Sequence, residues 1–468
     1  MSSAPRTILV TGSNQGLGMH TVHKLAATPN VLVFMGGQLE FYGGKLIDAS
    51  TGSRKLAAAE EALAKFASEI DASSTVVPVQ LDITDATSIK NAHAFIASHL
   101  KEKSLPGLDV LINNAARLGT FEEVYSVNIV GTAAITEAIR PLLKDGGAIL
   151  NVSSTLGSLT VHTQRPPPMI YPAYNSSKAA LNSLTLLWAI QEEEKKSGIR
   201  IVSICPGYNA TNLNQYSGTM HPAEGCMIIV QTALEKEGKS GIGMHTVRKF
   251  AAAPNVHGKL AAVEEALAKF ATDVDASSAV VLVQLDVTDA ASIKNAHGFI
   301  ANHLKEKSLG LDVLINNAGR LVPNFEEVYA VNVFGVTAIT EAIRPLLNNG
   351  GAILNISSTL ASLTWHTQRP PPPLFLAYNS SKSALSSLTL QWAIQEEEKD
   401  SGIRVVSICP GYNTTSMTQF DSNGTSPADG CTIIVQTALE KEGKSGVFST
   451  RRVRWLGEDS IRADRGST

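Results

Sequence analysis

Ser154, Tyr174 and Lys178 are the residues of this 468-residue chain whose types and spacing point most directly to chemistry. They lie in the stretch 151–178, NVSSTLGSLTVHTQRPPPMIYPAYNSSK, and recur as Ser358, Tyr378 and Lys382 in 355–382, NISSTLASLTWHTQRPPPPLFLAYNSSK. In each copy a serine closes an apolar run, a Pro-rich loop follows, and Tyr-x-x-x-Lys opens a helix. Residues four apart share a helix face, which puts the phenol and the ammonium together. An ammonium beside a phenol favours the phenolate and lowers its pKa, so the tyrosine can exchange a proton near neutral pH. Alone, the pattern better describes an exposed helix pair. What lies upstream decides.

Upstream, Thr11-Gly12-Ser13-Asn14-Gln15-Gly16-Leu17-Gly18 separates an apolar run from a helical one. Glycines in such a turn let the backbone approach a pyrophosphate, and the helix N-terminus offers it free N–H groups and a positive dipole. Asp82, in LDIT, ends a later apolar run, where a carboxylate can accept a bond from an adenine amino group. The plainer reading of Asp82 is a helix N-cap, a place that Asp85 fills better. Asn113-Asn114-Ala115-Ala116 and Pro206-Gly207-Tyr208-Asn209-Ala210-Thr211 each follow an apolar run, at the carboxyl edge where an open sheet binds ligands. Asn128 stands in an apolar helical context, as a satisfied core amide or as a relay group.

Positioning these groups requires strands and helices in alternation. Strand-like runs fall at 8–12, 31–35, 76–81, 109–113, 148–152 and 200–204, with helical stretches between them. Almost wholly apolar strands alternating with helices predict an α/β fold, a doubly wound parallel sheet of Rossmann type covered on both faces.

In this order and spacing, TGSNQGLG, LDIT, NNAA, the helical Asn, VSS, YNSSK and PGYNAT resemble the short-chain dehydrogenase/reductase family, and most closely its carbonyl-reductase-like fungal members. The resemblance implies an NAD(P)-dependent oxidoreductase acting on CH–OH or C=O groups. Tyr174 would give a proton to a carbonyl as hydride arrives, or take it back in the reverse oxidation. Lys178 would depress the Tyr174 pKa and bond the nicotinamide ribose, Ser154 would hold the carbonyl oxygen, and Asn128 would hold a relay water. Ser154 is preferred over Ser153 because the family serine is commonly followed by glycine at the place Gly157 takes. Gly12, Ser13, Asn14, Gly16, Leu17, Gly18, Asp82, Asn114, Lys178 and Thr211 would hold the cofactor. In the uninterrupted register Arg54 follows the second strand, which favours NADP over NAD, because Arg accommodates a 2′-phosphate. If the segment 37–52 displaces it, Gln38 stands there instead and discrimination is poor. Ala116 departs from the usual glycine, and the Ser154-to-Tyr174 spacing of 174 − 154 = 20 is long for the family.

The chain is a tandem repeat, with Tyr174 and Tyr378 offset by 378 − 174 = 204 residues. Two domains are expected, 1–240 and 241–468, joined where LEKEGKSG runs straight into IGMHTV. The second copy lacks the first two strands and the glycine turn, so only the first is expected to work. Segment 37–52, Gly-rich and unmatched in copy two, reads as an inserted loop or a retained intron. The alternative is a non-catalytic cofactor-binding scaffold, or a fused product of two tandem reductases. A net charge of −3 with scattered basic residues marks no nucleic-acid or membrane footprint, and no apolar run is long enough to span a bilayer. Cys205, Cys226, Cys409 and Cys431 form no Cys-x-x-Cys and read as buried free thiols, with no metal site. A cytoplasmic location, a small carbonyl or alcohol substrate, and either a pseudo-dimer of the copies or a homo-oligomer are the remaining expectations.

Overall fold

In the computed structural model, residues 4–37, 66–163, 169–235, 241–242, 281–368, 371–440 and 443–450 are described. The chain divides into two compact units, Met1–Arg248 with His366–Leu376 and Lys249–Trp365 with Ala377–Thr468.

The first unit is built on a parallel sheet of seven strands: β1 (Arg6–Val10), β2 (Val31–Gly37), β3 (Thr75–Gln80), β4 (Leu108–Asn113), β5 (Leu143–Val152), β6 (Arg200–Ile204) and β7 (Gly241–Ile242). Their order is β3-β2-β1-β4-β5-β6-β7. The six apolar runs read from sequence are the first six of these strands. Ile8, Leu9, Val33, Val110, Ile112, Ile149 and Leu150 are wholly buried, as strands covered on both faces must be. Pro78 lies in β3, at the sheet edge, where its missing N–H leaves no ladder bond unmade. The order reverses direction between β1 and β4, and the carboxyl ends of these two strands open the crevice in which such sheets bind ligands.

β7 takes in Gly241 and Ile242, two residues past the boundary expected at 240, and pairs with Val202 and Ser203 of β6. The resemblance of IGMHTV to LGMHTV drew these residues toward the second copy, whereas strand pairing ties them to the first sheet.

The helix expected near 16–27 spans Gly16–Ala26, and the one at 86–101 spans Ala86–Glu102, with Asp85 accepting a bond from the Thr87 N–H as its N-cap. Of the helix expected at 55–70, the part before 66 lies outside the described residues, and Ala67–Glu69 form a single 3₁₀ turn. Asn128 does not sit in a plain α-helix. It belongs to a π-helical turn, Ser126–Gly131, inserted between the helices Phe121–Tyr125 and Thr132–Ile139. Such turns occur most often at functional sites.

In the second unit, β8 (Leu311–Asn316), β9 (Leu347–Ile356), β10 (Arg404–Cys409) and β11 (Phe448–Thr450) form a parallel sheet in the order β11-β10-β9-β8. The run 281–285 repeats the letters of β3 almost unchanged, yet is no strand. No β2 equivalent stands beside it in the described sheet, and a strand exists only as one side of a ladder. Leu81 is accordingly 2% exposed and its counterpart Leu285 43% exposed.

The long helices Pro172–Lys195 and Leu376–Glu398 are pinned identically. Arg140 bonds Glu192, with Glu137 and Gln191 completing its shell, and Arg344 bonds Glu396 in the same way. Burial alone would raise the Glu192 pKa, but hydrogen bonds from Ser197, Lys195 and Arg140 bring it down to about 2. All four cysteines are free; Cys226 and Cys409 are buried, Cys205 is partly exposed, and Cys431, expected to be buried, is exposed.

Candidate active site

A cleft of about 400 Å³ opens at the carboxyl ends of the first sheet. Its wall collects Gly12, Asn14, Gly16, Leu17, Gly18, Asp82, Asn114, Ser154, Tyr174, Lys178 and Thr211, residues scattered over some two hundred positions of sequence.

The glycine turn has its shape for reasons found in its neighbours. Gly12 has φ +60°, and a Cβ there would stand 2.7 Å from the Ala115 Cα. A Cβ on Gly18 would lie 2.4 Å from both the Asn114 amide nitrogen and the Gly12 carbonyl oxygen. Asn114 is therefore foremost a brace: its Nδ2 donates to the carbonyls of Thr11 and Gly12, both at 2.9 Å. Ser13 is corrected more sharply. It is fully buried, absent from the cleft wall, and spends its hydroxyl on the Gly36 carbonyl at 2.8 Å, locking the turn to β2. Gln15, the N-cap of the helix Gly16–Ala26, gives it no side-chain cap, and no acidic residue stands in the first turn. An uncapped, uncompensated helix N-terminus facing a cleft is a fit for a pyrophosphate.

Asp82 lies two residues past β3 in the cleft wall, its Oδ1 accepting from the Thr84 N–H and hydroxyl at 2.8 and 2.7 Å. Arg54 and Gln38, on which the choice of nicotinamide was to turn, lie outside the described residues. Thr211 borders Gly16, whose Cβ would meet it at 3.5 Å.

At the other end of the cleft, Ser154 ends the turn after β5 and takes the Leu156 N–H at 3.1 Å. Its hydroxyl stands near enough to the Tyr174 phenol to lower the phenol pKa somewhat. Gly157 is needed because a Cβ would stand 2.6 Å from the Lys178 carbonyl carbon. Tyr174 keeps part of its surface open, while Lys178 is 2% exposed. The Lys178 Nζ donates to the Val152 carbonyl at 2.8 Å and lies 5.5 Å from the Tyr174 ring centre.

The two groups shift in directions other than the expected coupling gives. Burial pushes Tyr174 up to about 12, the Cys205 sulfur adds to the rise, and only the Ser154 hydroxyl pulls the other way. Burial also draws Lys178 down to about 8. Both shifts favour the neutral form, the signature of desolvation and not of an ammonium stabilising a phenolate. The shared helix face brought the two side chains near, but the amine turned to a backbone carbonyl.

Asn128 takes the first of its two readings, a satisfied core amide. Buried behind the cleft wall, it accepts from the Arg117 N–H at 2.8 Å and donates to the Arg117 carbonyl at 3.2 Å and the Ser177 hydroxyl at 3.0 Å. Its side chain clamps the loop after β4 to the helix that carries Tyr174. Sequence reading gave no role to Arg117, Met169, Tyr171 or Asn212, which also line the cleft, and quoted Tyr208 without assigning it one. Among the described residues there is no cluster of His, Cys, Asp or Glu able to hold a metal, and no helix long and apolar enough to cross a membrane.

A family model described as short chain dehydrogenase matches residues 49–221 and 232–425. The chain belongs to the short-chain dehydrogenase family. Each matched stretch holds one Tyr-x-x-x-Lys, so the tandem arrangement is one of two family members. The first begins past the glycine turn, whose reading rests on the geometry above. Relatives include the short-chain dehydrogenase anuI of Penicillium roqueforti, 31% identical over 258 residues, 50% of this chain and 91% of that protein. An NADP-dependent 3-hydroxy acid dehydrogenase of Schizosaccharomyces pombe is 31% identical over 222 residues, 45% of this chain and 73% of the relative. The N-domain of a bacterial malonyl-CoA reductase, solved with NADP, matches 97% of this short-chain dehydrogenase and 98% of its own chain at TM-score 0.65 and 16% identity, a likeness of fold alone.

Proposed function

We propose that the first unit is an NADP-dependent reductase of a small-molecule carbonyl, and that the second carries no working site. The observation that supports this best is one cleft holding the uncapped helix N-terminus at one end and the Ser154–Tyr174 pair at the other. NADPH bound there would supply the hydride; NADP is favoured over NAD by Arg54 in sequence and by the nature of the S. pombe relative.

The side chains do the rest. Gly16, Leu17 and Gly18 would present backbone N–H groups to a pyrophosphate, and Asp82 would meet the adenine. Ser154 holds the substrate oxygen. Tyr174, kept protonated by burial at neutral pH, delivers the proton to that oxygen with no prior ionisation. The reverse oxidation would need the phenolate. Lys178 supplies positive charge at the nicotinamide end while its ammonium survives, up to about pH 8. Ser358, Tyr378 and Lys382 keep the proton-transfer groups, but no glycine turn precedes them in sequence to present a hydride donor.

The test is NADPH consumption by the full chain with a panel of ketones and aldehydes. Turnover that disappears in Tyr174→Phe supports the reading. NADPH binding without turnover of any carbonyl would favour the non-catalytic scaffold.

A further inference from the structure

The wall of the cleft that holds Tyr174 also carries two exposed rings and a sulfur. Tyr171, one turn before Tyr174, is 42% exposed and Met169 is 47% exposed, both lining the cleft. They are fixed in place: the Tyr171 hydroxyl donates to the Met169 sulfur at 3.5 Å, and the buried Asn175 amide donates to the Met169 carbonyl at 3.2 Å. Tyr208, on the loop after β6, contributes a second stretch of wall at 38% exposed. Its hydroxyl shares a 2.7 Å bond with Ser217, and its carbonyl takes the N–H groups of Thr219 and Met220.

The Tyr171 hydroxyl spends its proton on Met169 and the Tyr208 hydroxyl is shared with Ser217, so what the two side chains chiefly offer a ligand is ring surface. The ionisable groups of the wall are engaged as well. Arg117 pairs with Glu123 at 2.9 Å, Asp82 with Thr84, and Lys178 with the Val152 carbonyl. Among the described residues of the wall each cation already has a partner, so a carboxylate on the substrate would have to compete with Glu123 or the Val152 carbonyl for one, whereas an aromatic ring would cover apolar surface and meet aromatic edges and faces.

We infer that the substrate is an uncharged carbonyl compound carrying an aromatic ring system, selected by Tyr171 and Tyr208. This rests on the reading of Tyr174 as the proton donor in the first unit.

The test compares 1-tetralone, 2-butanone and acetoacetate as substrates of the full chain with NADPH. The wild type should favour tetralone over both others by about a hundredfold in kcat/KM. Tyr171→Ala and Tyr208→Ala should each cut the tetralone-to-butanone ratio about tenfold, through KM more than kcat, while Tyr171→Phe retains it. Acetoacetate reduced as well as tetralone, or a ratio unmoved in both alanine variants, overturns the inference. Saturation-transfer NMR of tetralone on the NADPH-loaded chain separates the two levels of the argument. Tetralone bound, displaced by neither other ketone and weakened by Tyr171→Ala, but never reduced, would sink the reductase reading and uphold the aromatic wall. Tetralone neither bound nor reduced would overturn the wall assignment.

Discussion

Ile112 in β4 is wholly buried, and Ile315, at the same place in LDVLIN of β8, is 42% exposed. One sequence has two fates because β4 has β1 on its far side and β8 ends its described sheet. The two units teach that a site's local geometry is copied even where the sheet around it differs. Lys178 and Lys382 each donate to the carbonyl at the end of the adjoining strand, at 2.8 and 2.9 Å. Asn128 and Asn332 clamp Arg117 and Arg320 alike. Yet Tyr174 keeps surface open to a cleft, while Tyr378 is 1% exposed, its hydroxyl near Ser358 without an aligned hydrogen bond. Burial draws Lys382 down to about 7, and Tyr378 is raised for the same reason. Among the described residues the Tyr–Lys geometry recurs in both units, and the glycine turn stands before the first alone in sequence.

The strongest challenge to this contrast is a pair of substitutions. Tyr174→Phe should lower kcat by about 10²–10⁴-fold, and Tyr378→Phe should leave it within about twofold, read by NADPH consumption. Equal losses would mean that both units work.

The scaffold should behave in the opposite, symmetric manner. Glu192→Ala and Glu396→Ala each take from a buried arginine its buried carboxylate, leaving only the half-exposed Glu137 or Glu341, at a cost of about 3 kcal/mol to the unit concerned. Hydrogen exchange over Pro172–Lys195 and Leu376–Glu398 should report each loss in its own helix. An effect in one helix only would break the claim of shared pinning.

How much of this was legible in sequence follows the same division. The six strands of the first sheet and the Tyr174 helix could be read because apolar runs and Tyr-x-x-x-Lys are local signals. The two-residue β7, the non-strand at 281–285 and the burial of Ser13 could not, since each depends on which neighbour lies alongside. The pKa of Tyr174 was misjudged because spacing reports proximity, and desolvation depends on everything packed around the pair. The π-helical turn at Asn128 left no local mark either, although a polar residue in SVNIVG flagged the position.

A smaller effect sharpens the contrast further. Lys178, ammonium below about pH 8, loses its charge as pH rises through that value, while Tyr174 stays protonated to about 12. Reduction should therefore be flat below about pH 8 and fall about tenfold per unit above it. Lys382→Met should leave the breakpoint in place; a shift would implicate the second unit.

The central claim is one working site per chain, and counting bound cofactor tests it most directly. Calorimetric titration of the full chain with NADPH should give one site, weakened about ten- to a hundredfold by Gly18→Ala, whose methyl would collide with Asn114. Two NADPH per chain, or one that survives Gly18→Ala undiminished, would contradict the account.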